Sequence, residues 1–554
     1  WCSGYHISDS IMIGFSHLHL SGTGIGDLGD IRLMPINKKV ELAQTFQSRS
    51  EIPFKSNYSH ENETAEAGYY SVFLEDFNIK AELTSDLRTA YHKYTFAEND
   101  QQSLVIDLGN TFNWDTGIIS NIEIKDKFTV TGFRHSKGWA KNQKVFFVAK
   151  FSKSIKDFDL VSDEVYSDKV SVTGVKTSAQ LYFNDLSDHQ LEVKVGLSSV
   201  SVANASENIK DSSQNFDIIR KKASSDWNQS LSKIQVETSL DSLKTIFYTA
   251  LYHAQLAPVT FSDQNGEFRM ENDSICKADN YTVYSTLSLW DTFRAQQPLL
   301  TLLEPNKVSD IINSMLKYYE PKGVLPVWTL YGNETNTMTG FHSIPVIAEA
   351  YIKGIKGFDI NNAYQAMKAT MMQESLKVKS SNSSITPNVF FHEDRGLDHY
   401  KKYGYIPCDF LEESVTITLE YAYDDWCIAQ IAKALGKIED YDYFMSRSKS
   451  YINLFDTDSG FMRGKFKDGK TWREPFDPKH SAHRIKADYT EGNAWQHSWF
   501  VPHDVDNLIK LHGGDELFSE RLEQLFNESS EINGENISND ISGLIGQYAH
   551  GNEP

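Results

Sequence analysis

Over its first two hundred residues the chain follows a two-residue rhythm. "KVFFVAKFSK" (144–153), "KVSVTGVKT" (169–177), "AQLYFN" (179–184) and "LEVKVGLSSVSV" (191–202) alternate or run apolar, rich in β-branched and aromatic residues. Clusters of Asn, Asp, Gly and Ser separate them. Strand follows strand with no helix between, which predicts antiparallel sheets packed as a sandwich over 1–207. A charged, Ser-rich stretch at 208–237 reads as a helical linker. Beyond it the period changes. "LDSLKTIFYTALYHAQLAP" (240–258) places Leu240, Leu243, Phe247, Ala250, Leu251 and Ala254 on one helical face, and Pro258 stops it. "SLWDTFRAQQPLLTLLEP" (288–305), "VSDIINSMLKYYEP" (308–321) and "IPVIAEAYIKGI" (344–355) continue the pattern. "SVTITLEYAYDDWCIAQIAKALGK" (414–437) spaces Val415, Leu419, Ala422, Trp426 and Ala429 by threes and fours, with Gly436 suited to a C-terminal cap. About ten helices are expected over 238–554, joined by loops rich in Trp, His, Gly and acids. This pattern fits a toroid of paired helices whose loops build a concave mouth.

Composition narrows the choice. A chain of 554 residues exceeds one ordinary core, so two domains are expected. Hydrophobic content of 40% with 23% charged residues is that of a globular protein. The net charge of −21 excludes a phosphate backbone as partner, which needs a basic patch, and fits a neutral or cationic ligand or a metal. No apolar run reaches the roughly eighteen residues that span a membrane. Cys2, Cys276, Cys408 and Cys427 form no CxxC pair and are too sparse for a disulfide framework. The chain opens on Trp with no signal peptide ahead of it and ends on "GNEP". A processed chain or a fragment is expected.

Several segments carry candidate chemistry. Gly24-x-Gly26-x-x-Gly29 matches the dinucleotide fingerprint, but "DIRLMPI" behind it reads as a strand, so the context fails. His6, His17 and His19 could form a metal cluster, although structural roles are the better reading. Asp291 and Arg294 can grip a sugar's hydroxyls or form a surface i, i+3 ion pair. "LPVWTLYGNETNTMTGFHS" holds Trp328, Glu334 and His342; Glu334 can equally cap a helix start. Asp424 and Asp425 lie about 100° apart on a helix and cannot act as one site. One is expected to be solvated and the other bonded to loop backbone. "YTEGNAWQHSWFVPHD" (489–504) sets Glu491 between Tyr489 and Trp495. Glycoside hydrolysis needs a carboxyl kept protonated near neutral pH and a second carboxylate for water or as nucleophile. An aromatic flank desolvates a carboxyl and raises its pKa, which suits Glu491; the alternative is a Glu satisfying backbone donors at a helix start.

"LWDTFRA", "GNETNTMTGFHS", "TLEYAYDDWCIAQ", "YTEGNAWQHSWFVPHD" and "HGNEP", in this order, resemble glycoside hydrolase family 92, the calcium-dependent exo-α-mannosidases. "WCSGYH…GFSHLHLSGTGIGDLGD" resembles the family's N-terminal domain. The resemblance implies an N-terminal antiparallel β-sandwich, a helical linker and a C-terminal (α/α)6 catalytic toroid, incomplete here. It implies removal of non-reducing terminal α-mannose from glycans with inversion, with Glu491 as general acid. Asn552 and Glu553 are the implied Ca2+ ligands, and oxygen donors suit that cation. The implied sugar-holding residues are Asp291, Arg294, Asn493, Trp495, Gln496, His550 and Gly551. Family members of α-1,2 specificity tend to carry an acid where Gly551 stands, which implies another linkage or a decorated mannoside. The family's base carboxylates lie in a Gly-Asn-Asp-Asp type segment beyond "HGNEP". The resemblance thus implies a chain trimmed at both ends; a base within it would first be sought at Asp409 or Asp424. A secreted, periplasmic or cell-surface location is implied as well.

Two rivals remain. A toroid phosphorylase would need a basic, Gly-rich anion pocket that these acidic segments do not offer. A carbohydrate-binding protein of the same architecture would suit the sandwich and the aromatics, but has no use for a desolvated acid at Glu491.

Overall fold

The computed structural model describes residues 5–20, 25–44, 46, 48–97, 101–109, 115–183, 188–210, 215–373, 395–482 and 487–549. The chain divides into two compact units, Trp1–Thr286 with Leu330–Asn333, and Leu287–Thr329 with Glu334–Pro554.

The first unit is sheet-rich, as expected. Nine antiparallel strands run in the order Ser171–Gly174, Thr116–Asp126, Thr129–Lys137, Gln143–Phe151, Gln190–Ser198, Thr89–Thr95, Ile79–Ser85, Tyr69–Leu74 and Glu63–Glu66. Five more follow the order Val165–Ser167, Ile155–Ser162, Thr177–Phe183, Ser103–Asp107 and Arg32–Ile36. Both sheets are open. One core joins them, with Phe54, Phe147, Leu104, Leu181 and Val193 buried in it. The run at 169–177 is not one strand. It breaks near Val175, its first half joining the larger sheet and its second the smaller. The run at 191–202 also ends early, because the Ser201 hydroxyl accepts the Asn204 amide and starts the helix Val202–Lys210. That helix lies so close to the sheet that a Cβ on Gly196 would sit 2.4 Å from the Ala205 carbonyl oxygen. The glycine fingerprint leads into the strand Arg32–Ile36, so it is a loop as expected; Gly24 lies outside the described residues. Helices Phe216–Leu231 and Asp241–His253 complete this unit's helical part. The apolar face expected on the latter is mostly exposed: Leu240 and Leu243 are 56% and 51% open, and of that face only Leu251 is buried.

The second unit is helical, with eleven α-helical segments among its described residues. Its longest helix, Ser414–Ala434, packs against Ser343–Ile352, Ile360–Met372 and Ile438–Arg447. The apolar stripe Val415, Leu419, Ala422 and Ala429 is buried, but so is nearly every other face. A helix packed on all sides shows little one-sided patterning. Gly436, at φ +72°, closes it: the Gly436 amide donates to the Lys433 carbonyl and the Lys437 amide to Ala432. No helix among the described residues is long and apolar enough to cross a membrane.

Candidate active site

The helix Ser414–Ala434 is the post on which the candidate residues are mounted. The first amide groups of a helix lack partners within it. Here the segment ahead of Glu491 supplies some. The Glu413 amide donates to the Ala487 carbonyl at 2.6 Å and the Val415 amide to Asp488 at 3.1 Å. The next residue with both backbone and side chain engaged is Thr490. Its amide donates to Thr416 Oγ1 at 3.0 Å and its hydroxyl to Glu413 Oε2 at 3.0 Å. Glu491 follows, half-buried, at φ +45°. This left-handed conformation costs a residue with a side chain about 1–3 kcal/mol and survives where surrounding bonds enforce it.

Thr416, Glu420 and Asp424 recur every four residues and so share one face of the helix. This seam of polar groups is buried, with Glu420 1% and Asp424 0% exposed. Glu420 takes the Trp290 indole N–H at 3.1 Å and an Arg294 guanidinium N–H at 3.4 Å, and touches His342 Nε2. Burial pushes the His342 pKa down, against the pull of Glu420. Burial alone would raise Glu420, but His342 and Arg294 beside it hold it below the usual range, with Arg294 as counter-ion. Asp424 accepts the Phe341 amide at 2.8 Å, and burial lifts its pKa well above the usual carboxylate range.

Arg294 is the exposed end of this seam, its side chain 40% open. Its guanidinium lies over the rings of Phe293, Trp290 and Phe500 at 4.8, 5.0 and 5.1 Å. The i, i+3 ion pair with Asp291 does not form. The short helix Leu289–Thr292 ends before Arg294, and Asp291 instead accepts the Ser288 hydroxyl. Burial raises the Asp291 pKa to about 6, against the pull of Ser288 and Arg294.

The loop before His342 is strained and held from behind. Asn336 and Met338 stand at φ +55° and +73°. Arg395, 2% exposed, donates to Asn336 Oδ1 at 2.8 Å and to the Met338 carbonyl at 2.8 Å, and lies over Phe341 at 5.1 Å. Glu334 does not cap a helix. Its carboxylate accepts the Val327, Trp328 and Asn336 amides and closes this loop on itself. Trp328 is 1% exposed and belongs to the core. His342 stacks flat on Phe293, 3.9 Å between centroids.

Residues 202–554 match the glycosyl hydrolase family 92 catalytic domain, and residues 1–198 the family 92 N-terminal domain. This chain belongs to glycosyl hydrolase family 92. It is similar to a family 92 α-mannosidase from Bacteroides thetaiotaomicron solved in complex with mannoimidazole: 38% identity, TM-score 0.90, over 100% of this chain and 72% of that one. A family 92 inverting mannosidase from the same organism is 27% identical at TM-score 0.84, over 99% of this chain and 72% of that one. An uncharacterized secreted glycosidase of Arthroderma benhamiae is 25% identical over 578 residues, 94% of this chain and 68% of its own length. The protein is thus a family 92 glycoside hydrolase.

Several expectations for a family 92 site change with the side-chain directions. Asn493 and Gln496 form a capping box on the helix Ala494–His497: each backbone amide donates to the other's side chain. Asn493 also donates to Gln547 and is 0% exposed, so burial keeps it from a sugar. The N-x-x-Q spacing carried that signal. Gln496 keeps one buried amide nitrogen unbonded among the described residues. Trp495, 4% exposed, packs edge-on against Phe461 with Arg521 over its ring, which removes it as a sugar platform. The Tyr489 hydroxyl donates to the Met462 carbonyl in the core. The aromatic flank expected for Glu491 is therefore committed elsewhere. Asp425 is not solvated; it takes Tyr400 at 2.8 Å and Arg447 at 2.9 Å. His6 bonds Ser8, His19 bonds Ser16, and His17 meets His92 at 2.9 Å, so the three histidines do not converge. Among the described residues no His, Cys, Asp and Glu group could hold a metal. His550, Gly551, Asn552 and Glu553 lie outside the described residues. Missed from sequence were Thr416 and Glu420, in a helix read only for its apolar stripe, and Arg395, which stands just ahead of the helix Leu397–Tyr403.

Asp291 makes one testable difference. Its raised pKa means the folded state holds the proton longer than the unfolded chain does. Its favourable contribution is present below about pH 4 and lost as pH rises through about 6. Asp291→Asn, which cannot ionise, is expected to escape that loss. Melting temperatures of the two proteins should diverge between pH 4 and 6 in favour of the variant; parallel curves would refute the burial of an ionisable group there.

Proposed function

We propose that the protein is an exo-acting α-mannosidase that removes non-reducing terminal α-mannose from glycans with inversion, with Glu491 as general acid. The carrying observation is the placement of Glu491: a half-buried carboxyl at φ +45°, on a turn bonded to the same helix face that anchors Arg294. The similarity to a family 92 α-mannosidase and to an inverting mannosidase supports the reading. Glu491 protonates the departing glycosidic oxygen; Arg294 and Asp291 hold sugar hydroxyls, the first as donor and the second as acceptor. Asp424 is excluded as the water-activating base, because it is sealed from solvent and bonded to the Phe341 amide. Asn552 and Glu553 would offer an amide and a carboxylate oxygen to Ca2+, a donor set that a hard cation accepts. When bound, the ion supplies positive charge to sugar hydroxyls and favours ring distortion. A secreted location accords with the description of the Arthroderma relative.

The test is product analysis. Incubation with a panel of α-linked mannobioses and an aryl α-mannoside, followed by proton NMR, is expected to show β-mannose first and mutarotation later. No mannose from any terminal α-mannoside would overturn the reading; α-mannose as first product would overturn inversion.

A further inference from the structure

The hydrogen bonds ahead of Glu491 form a closed circuit, and the proton on each atom follows from its neighbours. His497 Nε2 lies 2.8 Å from the Thr490 carbonyl oxygen, which only accepts, so Nε2 carries the proton. Burial lowers the His497 pKa to about 4, so the ring is neutral near neutral pH and Nδ1 is an acceptor. Thr416 Oγ1, 3.1 Å from Nδ1, therefore donates to it. The same oxygen accepts the Thr490 amide. Both peptide groups of Thr490 are thus held by one Thr–His pair, immediately before the strained Glu491. The imidazole reaches this place because position 492 has no side chain: a Cβ on Gly492 would lie 2.5 Å from His497 Nε2. On its other side the ring stacks on Tyr489, 5.7 Å between centroids.

We propose that His497, through Thr416, is a positioning residue for the acid: it clamps the Thr490 peptide and so holds Glu491 in the left-handed conformation that aims its carboxyl. This rests on the reading of Glu491 as general acid. His497 touches no substrate in this scheme. Its removal lets the turn relax, and a displacement of the order of 1 Å at a reacting group costs up to about 100-fold in rate. The loss has a signature. A misplaced acid harms substrates that need protonation and spares those that do not.

His497→Ala, His497→Gln and His497→Asn are compared on an α-mannobiose and on 2,4-dinitrophenyl α-mannoside. His497→Ala is expected to lower kcat on the mannobiose by about 10- to 100-fold, with KM little changed and a much smaller loss on the activated substrate. Gln carries its amide nitrogen where imidazole carries Nε2, so His497→Gln should recover most of the activity. Asn reaches only the Nδ1 place and should not. If His497→Ala fails to fold, Gly492→Ala, whose methyl group pushes the ring off Thr490, carries the same prediction. Equal losses on both substrates, or equal behaviour of the Gln and Asn variants, overturn the proposal. Glu491→Gln, assayed alongside, separates two failures. If it shows the leaving-group split and His497→Ala does not, the acid stands and the clamp falls. If Glu491→Gln lacks the split, the acid assignment falls and the clamp with it.

Discussion

Glu491→Gln is expected to slow hydrolysis of an α-mannobiose by at least about 100-fold, the lower range of what general-acid catalysis contributes. The amide has the carboxyl's shape and no proton to hand on. The leaving sugar then departs as an alkoxide, which is a poor leaving group. A dinitrophenyl group departs without help, so that mannoside should lose far less. The bonds from Thr490 to Thr416, Glu413 and His497 hold the turn from the preceding residue, and the amide keeps the carboxyl's size and shape. The melting temperature should therefore stay near the parent value, which separates lost chemistry from lost folding. Near-parental turnover of mannobiose by this variant would sink the assignment.

Chelation is expected to have an effect as large. If Asn552 and Glu553 bind Ca2+, exhaustive EDTA treatment should abolish turnover and added Ca2+ restore it. Mg2+ should substitute poorly, since it demands a tight octahedral shell and gives up water reluctantly. Calorimetric titration of the chelated protein with Ca2+ provides a readout independent of turnover, and Glu553→Gln should weaken that binding. Full activity after chelation would count against the ion. Restoration by Zn2+ alone would point to histidine ligands, and His6, His17 and His19 are already bonded to different partners.

The part of the site that was legible in the sequence is the part that depends on residue type and order. Glu491 stood out because a carboxyl sits between Tyr489 and Trp495, and Arg294 because a guanidinium follows Asp291 at i, i+3 spacing. The errors concern side-chain direction. Trp495 and Asn493 sit four and two residues from Glu491, yet one turns into the core and the other caps a helix. Asp291 and Arg294 have i, i+3 spacing, but the helix ends between them. Nearness in sequence does not say which way a side chain points once a helix of four residues has ended.

The sequence alone determined the kinds of element and their order. Two-residue alternation requires a half-buried strand, three-and-four spacing a helix, and both held for the two units. The ordered motifs also determined the family. Tertiary structure decided the partners. Arg294 meets Glu420 across 126 residues, Thr490 meets Thr416 across 74, and His497 meets Thr416 across 81. Such bonds arise where packed elements bring buried polar groups together, and a buried group needs some partner without the local sequence naming which. The polar seam of Thr416, Glu420 and Asp424 was hidden for that reason. Its residues look misplaced in an apolar helix until the turns of Glu491, Arg294 and His342 are folded onto it.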